Sequence, residues 1–207
     1  MFYPLMTDAE ALEKLGAILP VLSDGWKQAH SIIRETHGHP YYDQRSKAVA
    51  LQIETVRLVR DILERDHGAI YTTVHSQHIF TIPGVAHIVF KKLDESLKIS
   101  PGKTSHADTF YSQGTLDGLQ DIPRLVSGAV PSRDGTGLVG VYLTYPKSRG
   151  RANNWVLNIT DQARPLDIDQ NRMPFMAEDD VAIRKNPYRP KHGRKQTDAG
   201  DAAADGS

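Results

Sequence analysis

Residues 69–92 read AIYTTVHSQHIFTIPGVAHIVFKK, and here the pattern of the chain changes. Ala69 to Thr73 and His78 to Ile82 are crowded with β-branched and aromatic residues. Pro83-Gly84 supplies a turn, and Ala86 to Lys92 reads as a further strand. The chain before Gly68 is helical in period, and most of the chain after it is extended.

Downstream, Leu125 to Val130 and Leu138 to Tyr145 are predicted strands flanking Arg133-Asp134-Gly135-Thr136-Gly137, a hairpin turn. Trp155 to Thr160 is the last predicted strand, and Thr104 begins a short helix that Gly114 closes. Upstream, Thr7 and Glu10 have capping-box spacing, and Leu12, Leu15 and Leu19 follow at helical intervals until Pro20 ends or kinks the run. Ser23 to His37 is a second helix, with Trp26, Ala29 and Ile33 on one face. Asp43 caps a third, over about 44 to 66, whose expected buried stripe is Val49, Ile53, Val56, Val59 and Leu63. Arg57/Asp61 and Arg60/Glu64 are spaced to pair on its wet face. Helices first and a mostly antiparallel sheet afterwards make an α+β layout.

The expected organisation is one globular domain over 1–163, an irregular extension over 164–183 and a disordered tail over 184–207, basic and proline-interrupted and then small and acidic. The chain has 207 residues and 39% hydrophobic content, enough for one ordinary core but low for the full length. With 25 basic and 25 acidic residues the net charge is zero, which argues against a globally basic nucleic-acid binder. The absence of cysteine removes disulfides, thiolate zinc sites and cysteine nucleophiles, and suits a cytoplasmic location. The short apolar start lacks the form of a signal peptide, and no apolar run is long enough for a membrane helix.

Nine histidines invite a search for a metal site. His75, His78 and His87 would meet on an antiparallel pair only if residues 75–77 form a turn, since strand positions three apart face opposite ways. His37 and His39 sit in a turn. Neither set has a carboxylate motif beside it, so no metal and no other cofactor is assigned. Gly102-Lys103-Thr104-Ser105 has the tail of a phosphate-binding loop, but Leu97 stands where its first glycine belongs.

Two sets of residues carry more chemistry. Lys91 and Lys92 end an apolar strand and, with His106, Thr104, Ser105 and Arg149, supply the residue types of a metal-independent ribonuclease. Lys91, Lys92, His106 and Gln113 are the catalytic candidates. Lys147, Arg149 and Arg151 with Tyr145 and Trp155 place three cations and two aromatics on one hairpin, the kit for gripping a phosphate backbone and stacking a base. Lys147, Arg149, Arg151 and Trp155 are the nucleic-acid-binding candidates.

Phe90-Lys91-Lys92-Leu93-Asp94-Glu95, the helix ending at Gln113, Leu119 with Ile122-Pro123, the run from Gly140 to Pro146, and Trp155-Val156-Leu157 together carry a resemblance. This pattern, spanning roughly residues 80 to 160, resembles a group of small bacterial proteins from mobile elements and phage-defence regions. These are encoded beside a helix-turn-helix protein fused to a zinc-peptidase-like domain. The resemblance implies the toxin of a toxin–antitoxin pair, with the cognate antitoxin protein as partner. Two modes of action are open: blocking a target by binding, or cleaving RNA without a metal. The alternative from a different class is a nucleic-acid-binding accessory protein of a mobile element.

Overall fold

A computed structural model describes residues 6–37, 44–74, 77–99, 105–114, 119, 121–134, 136–147, 153–161 and 164–165. They fall within one compact unit, Met1–Met173, and the expected tail over 184–207 lies outside the described residues.

α1 (Asp8–Leu15) starts on the expected capping box. The Glu10 N–H donates to Thr7 Oγ1 at 3.2 Å, and the Thr7 N–H donates back to Glu10 Oε2 at 2.8 Å. The helix breaks after Leu15, short of the expected stop. Pro20 begins the next helix instead of ending the first: α2 (Leu19–His37) holds it in its opening turn, where its missing N–H has no partner to lose. α3 (Gln44–His67) comes next in the chain.

The buried line of α3 also differs from expectation. Val49 and Ile53 are 49% and 52% exposed, whereas Leu51, Thr55, Val56, Val59 and Leu63 are buried. Residues 51, 55, 59 and 63 are each four apart, so they form one helical row, and Val49 and Ile53 lie to one side of it. Thr55 is accommodated there because its hydroxyl donates back to the Leu51 carbonyl at 2.7 Å. Arg57 pairs with Glu54 behind it, not with Asp61, while Arg60 pairs with Glu64 as its spacing predicts. α2 and α3 approach closely at Gly25, where any Cβ would meet the Val59 side chain.

Among the described residues, seven strands form a single sheet in chain order: β1 (Ile70–Val74), β2 (Gln77–Ile82), β3 (Ala86–Lys92), β4 (Arg124–Pro131), β5 (Leu138–Pro146), β6 (Asn153–Asn158) and β7 (Arg164–Pro165). Neighbours are antiparallel except β3 and β4, which run parallel because the chain crosses over through α4 (Ser105–Tyr111) between them. The fold is thus α+β with a mostly antiparallel sheet.

Both faces of the sheet are covered. Phe80, Ile88, Phe90, Leu125, Ala129, Leu143, Tyr145 and Leu157 meet the three N-terminal helices. Ile79, Val89, Val126, Tyr142 and Val156 meet Phe110 and Tyr111 of α4, with Leu93 and Ile99. Two-sided burial explains why β4 and β5 are apolar almost throughout rather than alternating. Gly128 makes room on the α4 side: a Cβ there would stand 2.5 Å from Leu93 Cγ and 2.6 Å from the Lys91 carbonyl oxygen.

A row of rings ties the helices to the sheet edge. Trp26 lies 6.0 Å from Phe90, Phe90 lies 5.4 Å edge-on from Phe80, and Phe80 lies 5.2 Å from Tyr71. The Trp26 indole N–H donates to the buried Ser127 hydroxyl at 2.9 Å, fixing α2 over the middle of the sheet. The row ends at Tyr71, on the edge hairpin.

Candidate functional site on the edge hairpin

β1 and β2 pair so that Tyr71 faces Phe80 and Thr73 faces His78. Alternation then puts Tyr71, Thr73, His78 and Phe80 on the helix side of the sheet. The Tyr71 hydroxyl lies 2.6 Å from His78 Nδ1, and the two rings stack with centroids 6.0 Å apart. Thr73 donates its hydroxyl to the Tyr71 oxygen at 3.1 Å. From α3, the Arg60 guanidinium sits 4.2 Å over the Tyr71 ring, while Glu64 holds its Nε at 3.0 Å.

His78 is half-buried, and its pKa is lowered from the ordinary value, first by burial and second by the charge of Lys91. The imidazole is therefore neutral at physiological pH. In the tautomer that carries its proton on Nδ1, toward Tyr71, Nε2 is the free base. Lys91 is also half-buried, and burial lowers its pKa. A neutral imidazole, a phenol, an aliphatic hydroxyl and the Arg60 guanidinium on the helix side can move a proton and hold a phosphate, while Lys91 lies on the opposite face.

A second polar group lies inside, on the α4 side. His87 is 1% exposed and its Nδ1 lies 2.8 Å from the Thr81 hydroxyl. Arg124, also 1% exposed, donates to the Thr109 carbonyl at 3.4 Å and to the Gly114 carbonyl, and its guanidinium lies 5.5 Å from the Phe110 ring. A buried cation thus satisfies the carbonyls at the C-terminal end of α4, where the helix dipole is negative. This arrangement holds α4 onto the sheet, and solvent does not reach it.

The catalytic candidates do not converge. Lys91 and Lys92 face opposite sides of the sheet, and Lys92 lies half-buried on the helix side across from Ala129. Gln113 is buried, with both ends of its amide bonded to the Arg124 backbone. His106 lies in α4, and its side chain is outside the described residues, as are Thr104 and the side chain of Ser105. On the basic hairpin Lys147 is exposed, while Arg149 and Arg151 lie outside the described residues. Trp155 is 8% exposed, packs 5.7 Å from the buried Tyr145, and donates its N–H to the Met6 carbonyl at 2.7 Å. Neither aromatic of that hairpin offers a face to a base.

The histidine trio does not assemble either. His78 shares the helix side with Phe80 and His87 the α4 side with Val89, and His75 lies outside the described residues. The loop over 101–104, with its partial phosphate-binding pattern, and the His37/His39 side chains also lie outside them. Among the described residues no group of His, Asp and Glu is arranged to hold a metal ion. Sequence reasoning missed Arg60, Tyr71, Thr73 and Arg124. The signal for Tyr71, Thr73 and His78 was their same-side spacing across a short hairpin. Arg60 joins them only through the packing of α3. No family model, no curated protein and no solved structure matches the chain.

Proposed function

We propose that this chain is the toxin of a bacterial toxin–antitoxin pair, that it acts in the cytoplasm on RNA without a metal ion, and that a cognate antitoxin protein neutralises it. The resemblance over residues 80 to 160 supports the pairing, since those residues make up a coherent part of the fold, from β3 through α4 to β6. Among the described residues no helix is long and apolar enough to cross a membrane.

The observation that carries the RNA reading is the Thr73–Tyr71–His78 chain with Arg60 above it. His78 Nε2 takes the proton of a ribose 2′-hydroxyl as that oxygen attacks the adjacent phosphorus. The new P–O2′ bond forms, the P–O5′ bond breaks, and the 5′ oxygen takes a proton from water. Arg60, on the same face, balances the charge that gathers on the phosphoryl oxygens.

The experiment is tightly controlled induction in a naive bacterial host, with and without the neighbouring gene. Growth arrest that the neighbour relieves, and that His78→Ala removes while the protein still accumulates folded, supports the proposal. Undisturbed growth overturns it. Arrest that survives His78→Ala and Tyr71→Phe leaves a toxin that works by binding and removes the cleavage mechanism.

A further inference from the structure

Gln77 is 8% exposed, and its side-chain Nε2 has no hydrogen-bond partner. A buried N–H left without an acceptor is costly, so native proteins rarely keep one without a use. Gln77 lies across from Val74 of β1. On the other side, the antiparallel register ends with Ile79 against Val89, and Gln77, two residues before, and Lys91, two residues after, come next along that row. Alternation puts both on the α4 side with Ile79 and Val89.

Lys91 is in the same position electrostatically. Burial alone accounts for its lowered pKa: no carboxylate among the described residues acts to raise it. An ammonium drawn half out of water without a counter-ion is unfavourable. Its row on the sheet continues to Gly128, over which the Leu93 side chain packs. Its charge is felt by His78, around the same end of the hairpin. Two N–H donor groups therefore lie on the same face at one end of the hairpin, one without an acceptor and one without a counter-charge among the described residues.

We propose that Gln77 and Lys91 form a binding site for a phosphate group, with Gln77 Nε2 and the Lys91 ammonium as its donors. An oxyanion satisfies both at once: it accepts from the amide and neutralises the lysine. The phosphate is that of an RNA backbone or a free phosphate ion. The RNA arm rests on the function proposed above; the inorganic-phosphate arm does not. A flipped Gln77 amide, with its oxygen toward Lys91, is the structural rival, because it leaves no donor vacant.

The test tracks the His78 imidazole proton by NMR in the intact chain, as a function of pH, in phosphate and in chloride of equal ionic strength. Bound phosphate cancels the field of Lys91 and raises the His78 pKa by about 0.5 units relative to chloride. In Lys91→Met the His78 pKa is raised already in chloride, and phosphate adds nothing. Gln77→Leu keeps the fold and weakens the phosphate effect about tenfold in concentration. Identical titrations in phosphate and chloride overturn the site, as does a phosphate effect that survives Lys91→Met. Gln77→Leu that is more stable and responds to phosphate like the wild type favours the flipped amide and also overturns it. If Lys91→Met does not fold, the Gln77→Leu comparison decides alone. A short non-cleavable oligonucleotide that competes with phosphate supports the RNA source. A phosphate effect that no oligonucleotide displaces retains the site for free phosphate and removes the RNA arm.

Discussion

Gln113 holds Arg124 by both ends of its amide. Gln113 Oε1 accepts the Arg124 backbone N–H at 2.9 Å, and Gln113 Nε2 donates to the Arg124 carbonyl at 2.9 Å. One side chain thereby stands in for a strand at the start of β4. The backbone of Gln113 sits at φ 60°, a conformation that non-glycine residues adopt reluctantly and that here turns the chain out of α4. The bidentate clasp gives that strain a purpose.

Gln113→Ala removes both hydrogen bonds to the buried Arg124 backbone. Each costs about 1–3 kcal/mol, so the variant loses roughly 2–6 kcal/mol in urea unfolding. Gln113→Gly regains part of this by relieving the positive φ, and is the more stable of the two. A midpoint unchanged in Gln113→Ala would show that the clasp contributes nothing.

The two tryptophans report on the interior, not on a ligand. Trp26 is fully buried and Trp155 is 8% exposed, each with its indole N–H donating inside the protein. Their emission is blue-shifted and resists acrylamide. Adding single-stranded RNA leaves it unquenched, because neither ring stacks a base; strong quenching would restore Trp155 as a binding residue. Trp155→Phe keeps the ring packing but strands the Met6 carbonyl, at a cost of about 1–3 kcal/mol.

How much was legible depends on the range over which each signal acts. The six longer strands and the β4–β5 turn were readable because β-branched runs and turn residues act over a few positions. The break before Pro20 was misplaced because proline is compatible with either end of a helix, and only the packing of Leu15, Ile18 and Leu19 decides between them. The stripe on α3 was offset because Val49 and Ile53 look like core in sequence, while the contact with α2 is set by Gly25. Lys91 was legible as a strand-end cation. The Tyr71–His78 pair was not, because it needs the β1–β2 register, and Arg60 needs a tertiary contact. Trp155 was misread for a related reason: an aromatic beside a basic turn looks the same in sequence whether it faces in or out.

Asp134 fastens the β4–β5 turn. Its carboxylate accepts from the Ser132 hydroxyl at 2.6 Å, the Thr136 N–H at 3.1 Å and the Thr136 hydroxyl at 2.8 Å. The Ser132 hydroxyl bond leads these in lowering its pKa from 3.8 to about 2. A depressed carboxylate contributes stability above its unfolded pKa and loses it as pH falls through its folded one. The turn therefore loosens between about pH 4 and pH 2, seen as faster amide exchange at Thr136 and Gly137. Asp134→Asn abolishes that pH dependence; exchange that is equally slow in Asp134→Ala at neutral pH would show the carboxylate is not what fastens it.

His78 gives the opposite group type and the same direction. Burial, and then Lys91, lower its pKa in the folded chain below the ordinary value of 6.5. The unfolded chain therefore binds more protons than the folded one when pH falls below about 6.5, and the slope of unfolding free energy with pH is positive there. Stability contributed by neutral His78 is present above the unfolded pKa and is lost as pH falls through it toward the folded value. The protonated ring also loses its acceptor nitrogen, so both ring nitrogens can only donate and the free base at Nε2 is gone. His78→Phe keeps the stack on Tyr71 and flattens stability between about pH 7 and pH 5, whereas Lys91→Met raises the His78 pKa and shrinks the slope without removing it. Urea midpoints measured across that range distinguish the three proteins. A wild-type curve with no slope, or a slope retained in His78→Phe, would place the pH-sensitive group elsewhere and leave the edge hairpin without its free base.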